Sequence, residues 1–128
     1  IVCCDPLVAD QLVFRLKRAG HVASKMRYQS AQLVAYLTDG LWLQLAQRAN
    51  DAMSMLSAGL RELGAELLAD PQANMLFARV GRQAATALAD AGLLFYCMGD
   101  GVVRFVTSFQ TTDDDIAEVL RRAEAALS

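Results

Sequence analysis

The sequence predicts an α/β protein, a helical connector followed by a small two-layer α/β domain. Between residues 41 and 63, Leu45, Ala49, Ala52, Leu56, Leu60 and Leu63 recur every three or four positions, the spacing of one buried helical stripe. From Gly64 onward, short apolar or alternating runs interleave with two helical patterns in the order strand, strand, helix, strand, strand, helix. Helices on one side of a small antiparallel sheet close a core of that kind. A chain of 128 residues, 55% apolar and 20% charged, has enough material for one real core.

The chain opens with Ile1, Val2, Cys3 and Cys4, a wholly apolar run that reads as a buried strand feeding a helix. A buried strand needs neighbours on both edges. The expectation is therefore the C-terminal piece of something longer. Asp5 is a good N-cap and Pro6 suits the first helical position, so a helix starts there, and Leu7, Val8, Leu12, Val13 and Leu16 carry it to about Lys17. Ala19 and Gly20 interrupt it. A second helix runs from about Ser24 through Met26, Ala31, Leu33, Val34 and Leu37, and Thr38, Asp39 and Gly40 stop it before the long helix.

Gly64 closes the long helix at a position where positive φ carries no steric cost. Met53 and Met55 read as core filler, and Trp42 as a core or interface anchor. Residues 65–69 form a short strand ended by Asp70 and Pro71; residues 74–80 form a second, with Leu76, Ala78 and Val80 on one face. A helix over 83–90 ends at Gly92. Residues 93–97 are a third strand, Gly99, Asp100 and Gly101 a turn, and residues 102–108 a fourth strand. Thr111, Thr112 and the acids Asp113, Asp114 and Asp115 cap a last helix, whose buried face is Ile116, Leu120, Ala123 and Leu127. Acids suit the positive end of a helix dipole, so the triplet reads as structural and no metal site is predicted.

The net charge of −2 gives no field that recommends nucleic acid, and no apolar run is long enough to span a bilayer. Cys3, Cys4 and Cys97 form neither a disulfide framework nor a zinc spacing; they read as small buried hydrophobes, and a reducing, cytoplasmic compartment is expected. Positive charge is local. Arg15, Lys17, Arg18, His21, Lys25 and Arg27 crowd around Gly20. One reading is a solvated, charged helix end. The other is an anion site, where cations and helix-start amides converge on a phosphate or carboxylate. His21, the sole histidine, has no second histidine or paired acid nearby, so no catalytic dyad is predicted and it reads as a surface or interface residue. Arg104 is the one charge in Val102-Val103-Arg104-Phe105-Val106. It is either an edge-strand arginine reaching water or a planar fork holding a carboxylate.

Three blocks, Lys17-Arg18-Ala19-Gly20-His21, Ser24-Lys25-Met26-Arg27-Tyr28 and Val103-Arg104-Phe105-Val106-Thr107-Ser108-Phe109, resemble the C-terminal part of the threonine aldolase family, with its low-specificity and phenylserine aldolase branch nearest. Asp39-Gly40-Leu41-Trp42-Leu43, Ala73-Asn74-Met75-Leu76-Phe77 and the threonine–aspartate cap extend the likeness along the chain. The resemblance implies the fold of the aspartate aminotransferases and pyridoxal phosphate as cofactor. It implies cleavage of a β-hydroxy-α-amino acid to glycine and an aldehyde. It makes residues 1–40 the end of the cofactor domain and a basic connector, 41–63 a spine helix and 64–128 the small C-terminal domain. Arg104 matches the arginine that holds the substrate carboxylate; Lys17 and Arg27 match basic positions near the cofactor. The family's cofactor-bearing lysine has no counterpart in these residues, so they are expected to be inactive alone. A homodimer or homotetramer is implied for the complete enzyme, with no nucleic acid or membrane partner. From a different class, the alternative is a non-catalytic α/β module that binds an acidic ligand or partner.

Overall fold

Asp5 caps the first helix as its position predicts. Its carboxylate accepts hydrogen bonds from the amides of Leu7 (2.8 Å) and Val8 (3.4 Å), and α1 (Pro6–Arg18) begins there. The computed structural model describes residues 4–127 and divides into two units, Ile1–Leu41 and Trp42–Ser128. In the first unit, Gly20 at φ +74° ends α1: its amide bonds the Lys17 carbonyl and the His21 amide bonds the Leu16 carbonyl. Helix α2 (Arg27–Leu37) starts three residues later than the sequence suggests, because Lys25 takes a left-handed φ of +59° that a helix cannot include. A 3-10 turn, Thr38–Gly40, follows. Neither α1 nor α2 buries a residue. The strand expected at residues 1–4 lies outside the described residues except for Cys4, which is exposed and irregular rather than buried.

The second unit is built on α3 (Leu41–Glu62), which buries Ala49, Ala52, Leu56 and Leu60 along the predicted stripe. Met53, one turn from Ala49 and Leu56 on that face, is wholly buried; Met55 points off the stripe and is exposed, so only the first is core filler. The strands β1 (Glu66–Leu67), β2 (Met75–Arg79), β3 (Tyr96–Gly99) and β4 (Val102–Val106) form an antiparallel sheet in the order β1-β2-β4-β3. Helices α4 (Arg82–Asp90) and α5 (Asp113–Leu127) complete the element order. Leu76, Ala78, Val103 and Phe105 meet Leu56, Leu60, Leu88, Ile116 and Ala123 in one core, so the helices cover one face of the sheet.

The third strand differs from expectation. Leu93 is spent on ending α4: its amide bonds the Leu88 carbonyl and its side chain is buried. Phe95 packs on Phe105 with ring centroids 5.4 Å apart, and pairing begins only at Tyr96, running to Gly99 with a bulge between Cys97 and Gly99. Cys97 is consequently exposed, not buried. Gly101, at φ +73° in the β3–β4 turn, lies against the backbone of Gly81, where α4 begins; a Cβ there would sit 2.5 Å from the Gly81 Cα and carbonyl carbon.

At α5, Thr112 and Asp115 form a reciprocal cap. The Asp115 amide donates to the Thr112 hydroxyl, and the Thr112 amide donates to the Asp115 carboxylate at 2.9 Å. Those bonds from Thr112 hold the Asp115 carboxyl below its ordinary range. Among the described residues no helix is long and apolar enough to cross a membrane.

Candidate functional site

Arg104 does not lie on an edge. β4 runs between β2 and β3, so Arg104 sits mid-sheet with Phe77 as its register partner on one side and Tyr96 on the other. Alternation sends Val103 and Phe105 into the core beneath the helices and Arg104 to the opposite face. There the guanidinium carbon lies 4.2 Å from the Tyr96 ring centroid, within the range of a cation–π contact. Arg104 Nε is shielded from solvent and has no hydrogen-bond partner among the described residues. On the same face Met75 opposes Val106, and both are exposed. The sheet thus presents a row of apolar and aromatic side chains around one cation that has no ion-pair partner among the described residues. A guanidinium with no ion pair or hydrogen bond among the described residues has a planar anion as the group that it binds best.

β4 is anchored just beyond this row. The buried Thr107 hydroxyl donates to the Ala49 carbonyl on α3 at 2.7 Å; Thr107 and Asn74 exchange bonds between the Thr107 amide and Asn74 carbonyl (3.0 Å) and the Asn74 side-chain amide and Thr107 carbonyl (2.7 Å). The Thr107 hydroxyl thus ties the strand that carries Arg104 to α3, and the Asn74 bonds tie its end to the start of β2. Tyr96 and Phe77 were not singled out from the sequence. The signal for Tyr96 was the Gly99-Asp100-Gly101 turn, since a hairpin centred on Asp100 pairs position 96 with 104; Phe77 had no such local signal.

The basic segment lies wholly in the first unit. Arg15, Lys17 and Arg18 occupy the last turn of α1, where cations suit the negative end of the helix dipole. Arg15, Arg18 and Ala19 line a surface hollow of about 460 Å³. Arg27 opens α2, a helix start with no side-chain cap and no acid in its first turn. Its guanidinium carbon lies 5.1 Å from the Tyr28 ring centroid. No ion pair holds Lys17 or Arg27 among the described residues, and His21 is exposed. Arg27, which also donates to the Tyr28 hydroxyl at 3.4 Å, is a cation at an uncapped helix start, a setting with the chemistry to take an anion such as a phosphate. A further cleft of about 540 Å³, between α4 and the β3–β4 hairpin, is lined by Ala85, Thr86, Ala89, Cys97 and Val102 and spanned by an Arg82–Asp100 ion pair of 3.0 Å.

No protein-family model matches the chain. It is 36% identical over 123 residues to the low specificity L-threonine aldolase of Pseudomonas sp. (strain NCIMB 10558), covering 94% of this chain and 36% of that protein. It is 34% identical over 116 residues to the enzyme of the same name from Pseudomonas aeruginosa, covering 89% of this chain and 34% of that one. The chain is similar to one part of the threonine aldolases. It spans about a third of the length of the curated threonine aldolases that it matches. In fold, it superposes on a Leishmania major threonine aldolase with a TM-score of 0.78 over 88% of this chain and 34% of that one, at 21% identity. The expected architecture, a helical connector and a small two-layer α/β C-terminal domain of this class of enzyme, is the one observed, with part of a threonine aldolase as its counterpart.

Proposed function

We propose that this chain is the C-terminal portion of a pyridoxal-phosphate-dependent carbon–carbon lyase. The complete enzyme cleaves β-hydroxy-α-amino acids of the threonine and phenylserine type to glycine and an aldehyde. The observation that carries this reading is Arg104, a mid-sheet guanidinium with no ion pair or hydrogen bond among the described residues, in a chain similar to two threonine aldolases. Its part is to hold the substrate carboxylate with two parallel bonds, which fixes how the Cα–Cβ bond is presented for cleavage.

When bound, pyridoxal phosphate supplies an electron sink for the pair left at Cα as that bond breaks. Lys17 and Arg27 are assigned to the cofactor side, as cations that favour its phosphate; the uncapped, acid-free start of α2 is consistent with that role. Residues 1–40 then close the cofactor domain, 41–63 form the spine and 64–128 the small domain. The lysine that carries the cofactor lies outside residues 1–128, which are inactive alone. The complete enzyme is a cytoplasmic homodimer or homotetramer.

The test is direct. The complete protein, loaded with cofactor, should release glycine and an aldehyde from threonine or phenylserine, and residues 1–128 alone should release neither. A complete protein that binds cofactor or acidic ligands but forms no glycine from either substrate would leave the non-catalytic module as the better reading.

A further inference from the structure

We infer that Tyr96 is a positioning residue for carboxylate recognition, holding the Arg104 guanidinium so that its two terminal nitrogens, not its Nε edge, meet the anion. The inference rests on the reading of Arg104 as the carboxylate clamp and adds which edge of the fork is used and what keeps it there. A guanidinium offers a carboxylate either its Nη1/Nη2 end or its Nε/Nη side. In this structure the side edge is closed, because Nε has no accessible surface for a partner to reach, while Arg104 as a whole stays half-buried. By elimination, the end with the two terminal nitrogens is the edge that remains for the anion.

A long arginine side chain must be held to present one edge reproducibly, and no hydrogen bond or ion pair does so among the described residues. The hold comes from the cross-strand row. Tyr96 is the register partner on β3, with its ring 4.2 Å from the guanidinium carbon; Phe77 is the register partner on β2. Tyr96 is itself 64% exposed, so it does not serve the core. Its contact with Arg104 is the contact that accounts for an aromatic at this position.

The experiment uses the complete, cofactor-loaded enzyme and compares Tyr96→Leu, Tyr96→Phe, Arg104→Ala and the Tyr96→Leu/Arg104→Ala double variant. KM and kcat for threonine are measured, together with glycine affinity by calorimetry. A clamp that grips substrate and transition state alike moves KM more than kcat. Tyr96→Leu should raise KM and weaken glycine binding about five- to thirty-fold, with kcat within about three-fold. Tyr96→Phe keeps a π face and should stay within about three-fold of the parent. In the Arg104→Ala background, Tyr96→Leu should change nothing further, because a residue that acts through Arg104 has nothing left to act on.

Additive losses in the double variant would overturn the inference, as would a Tyr96→Phe enzyme as impaired as Tyr96→Leu. A Tyr96→Leu enzyme with unchanged KM and glycine affinity beside a strongly impaired Arg104→Ala enzyme would overturn it while leaving the clamp intact. If Arg104→Ala is itself silent, the clamp reading fails and the inference falls with it.

Discussion

Replacing Arg104 by Ala removes a guanidinium from the middle of a sheet face where Tyr96, Phe77, Met75 and Val106 offer no other cation. Arg79, a further cation on that face, is ion-paired with Glu66 at 3.4 Å, so in the proposed enzyme the substrate carboxylate would then lack a free counter-charge. Truncating one partner of a desolvated, hydrogen-bonded charge pair costs about 2–5 kcal/mol. Arg104 is half-buried, and its shielded Nε and stacked face put the loss near the middle of that range, about 3–4 kcal/mol. At 1.36 kcal/mol per decade, kcat/KM should fall by about two to three orders of magnitude. Arg104→Lys keeps the charge but loses the planar fork and most of the stacking, so it should recover no more than about one of those decades. The assay is the initial rate of aldehyde release from threonine and phenylserine by the complete enzyme, with the cofactor absorbance recorded for each variant. That absorbance should be unchanged, since Arg104 is assigned to the substrate and not to the cofactor. An Arg104→Ala enzyme within a few-fold of the parent in kcat/KM, with cofactor still bound, would make Arg104 a solvated sheet residue and refute the reasoning.

Two further predictions concern the scaffold. Gly101→Ala places a Cβ 2.5 Å from the Gly81 backbone at a φ of +73°, so neither the turn nor the start of α4 can yield cheaply; a loss of about 2–4 kcal/mol is expected, read as a lower urea midpoint, and a shift under about 0.5 kcal/mol would contradict the close approach. Glu118 is pulled from the usual 4.5 to about 2 by hydrogen bonds from Arg121 and Arg122. Because its folded pKa is depressed, its stabilisation is fully present above about pH 4.5 and fades as pH falls toward 2, so Glu118→Gln should narrow the parent's lead in urea midpoint over that window; a lead unchanged from pH 5 to pH 2 would show that the pair is idle in solution.

Periodicity was a good guide wherever one face of an element meets the core. The stripe of α3, the cap and buried face of α5 and the alternation of β4 all follow from residue spacing, because burial there is set by geometry within a single element. The failures share a different cause. Leu93 looked like the first residue of a strand, but its amide and side chain are used to finish α4, which delays pairing to Tyr96 and turns Cys97 outward. Lys25 looked helical, yet its left-handed backbone postpones α2. Leu93 is claimed by the helix before it and Lys25 by the turn that leads into α2, local choices that composition does not reveal.

The same distinction governs the candidate site. That Arg104 stands apart from the core was legible from period two. Whether it was an edge residue or a mid-sheet one depended on strand order, which is a property of the whole sheet: only when β4 is seen between β2 and β3 does the edge reading fail. Strand order also supplies Tyr96 and Phe77, residues 19 positions apart in sequence that become the two register partners of Arg104. An arginine at an edge can rest its head in water with no further explanation. A mid-sheet arginine stacked on an aromatic register partner, with its Nε shut off and no ion pair among the described residues, is left to meet an anion through its terminal nitrogens. The carboxylate of an amino-acid substrate is an anion of the right shape for that fork.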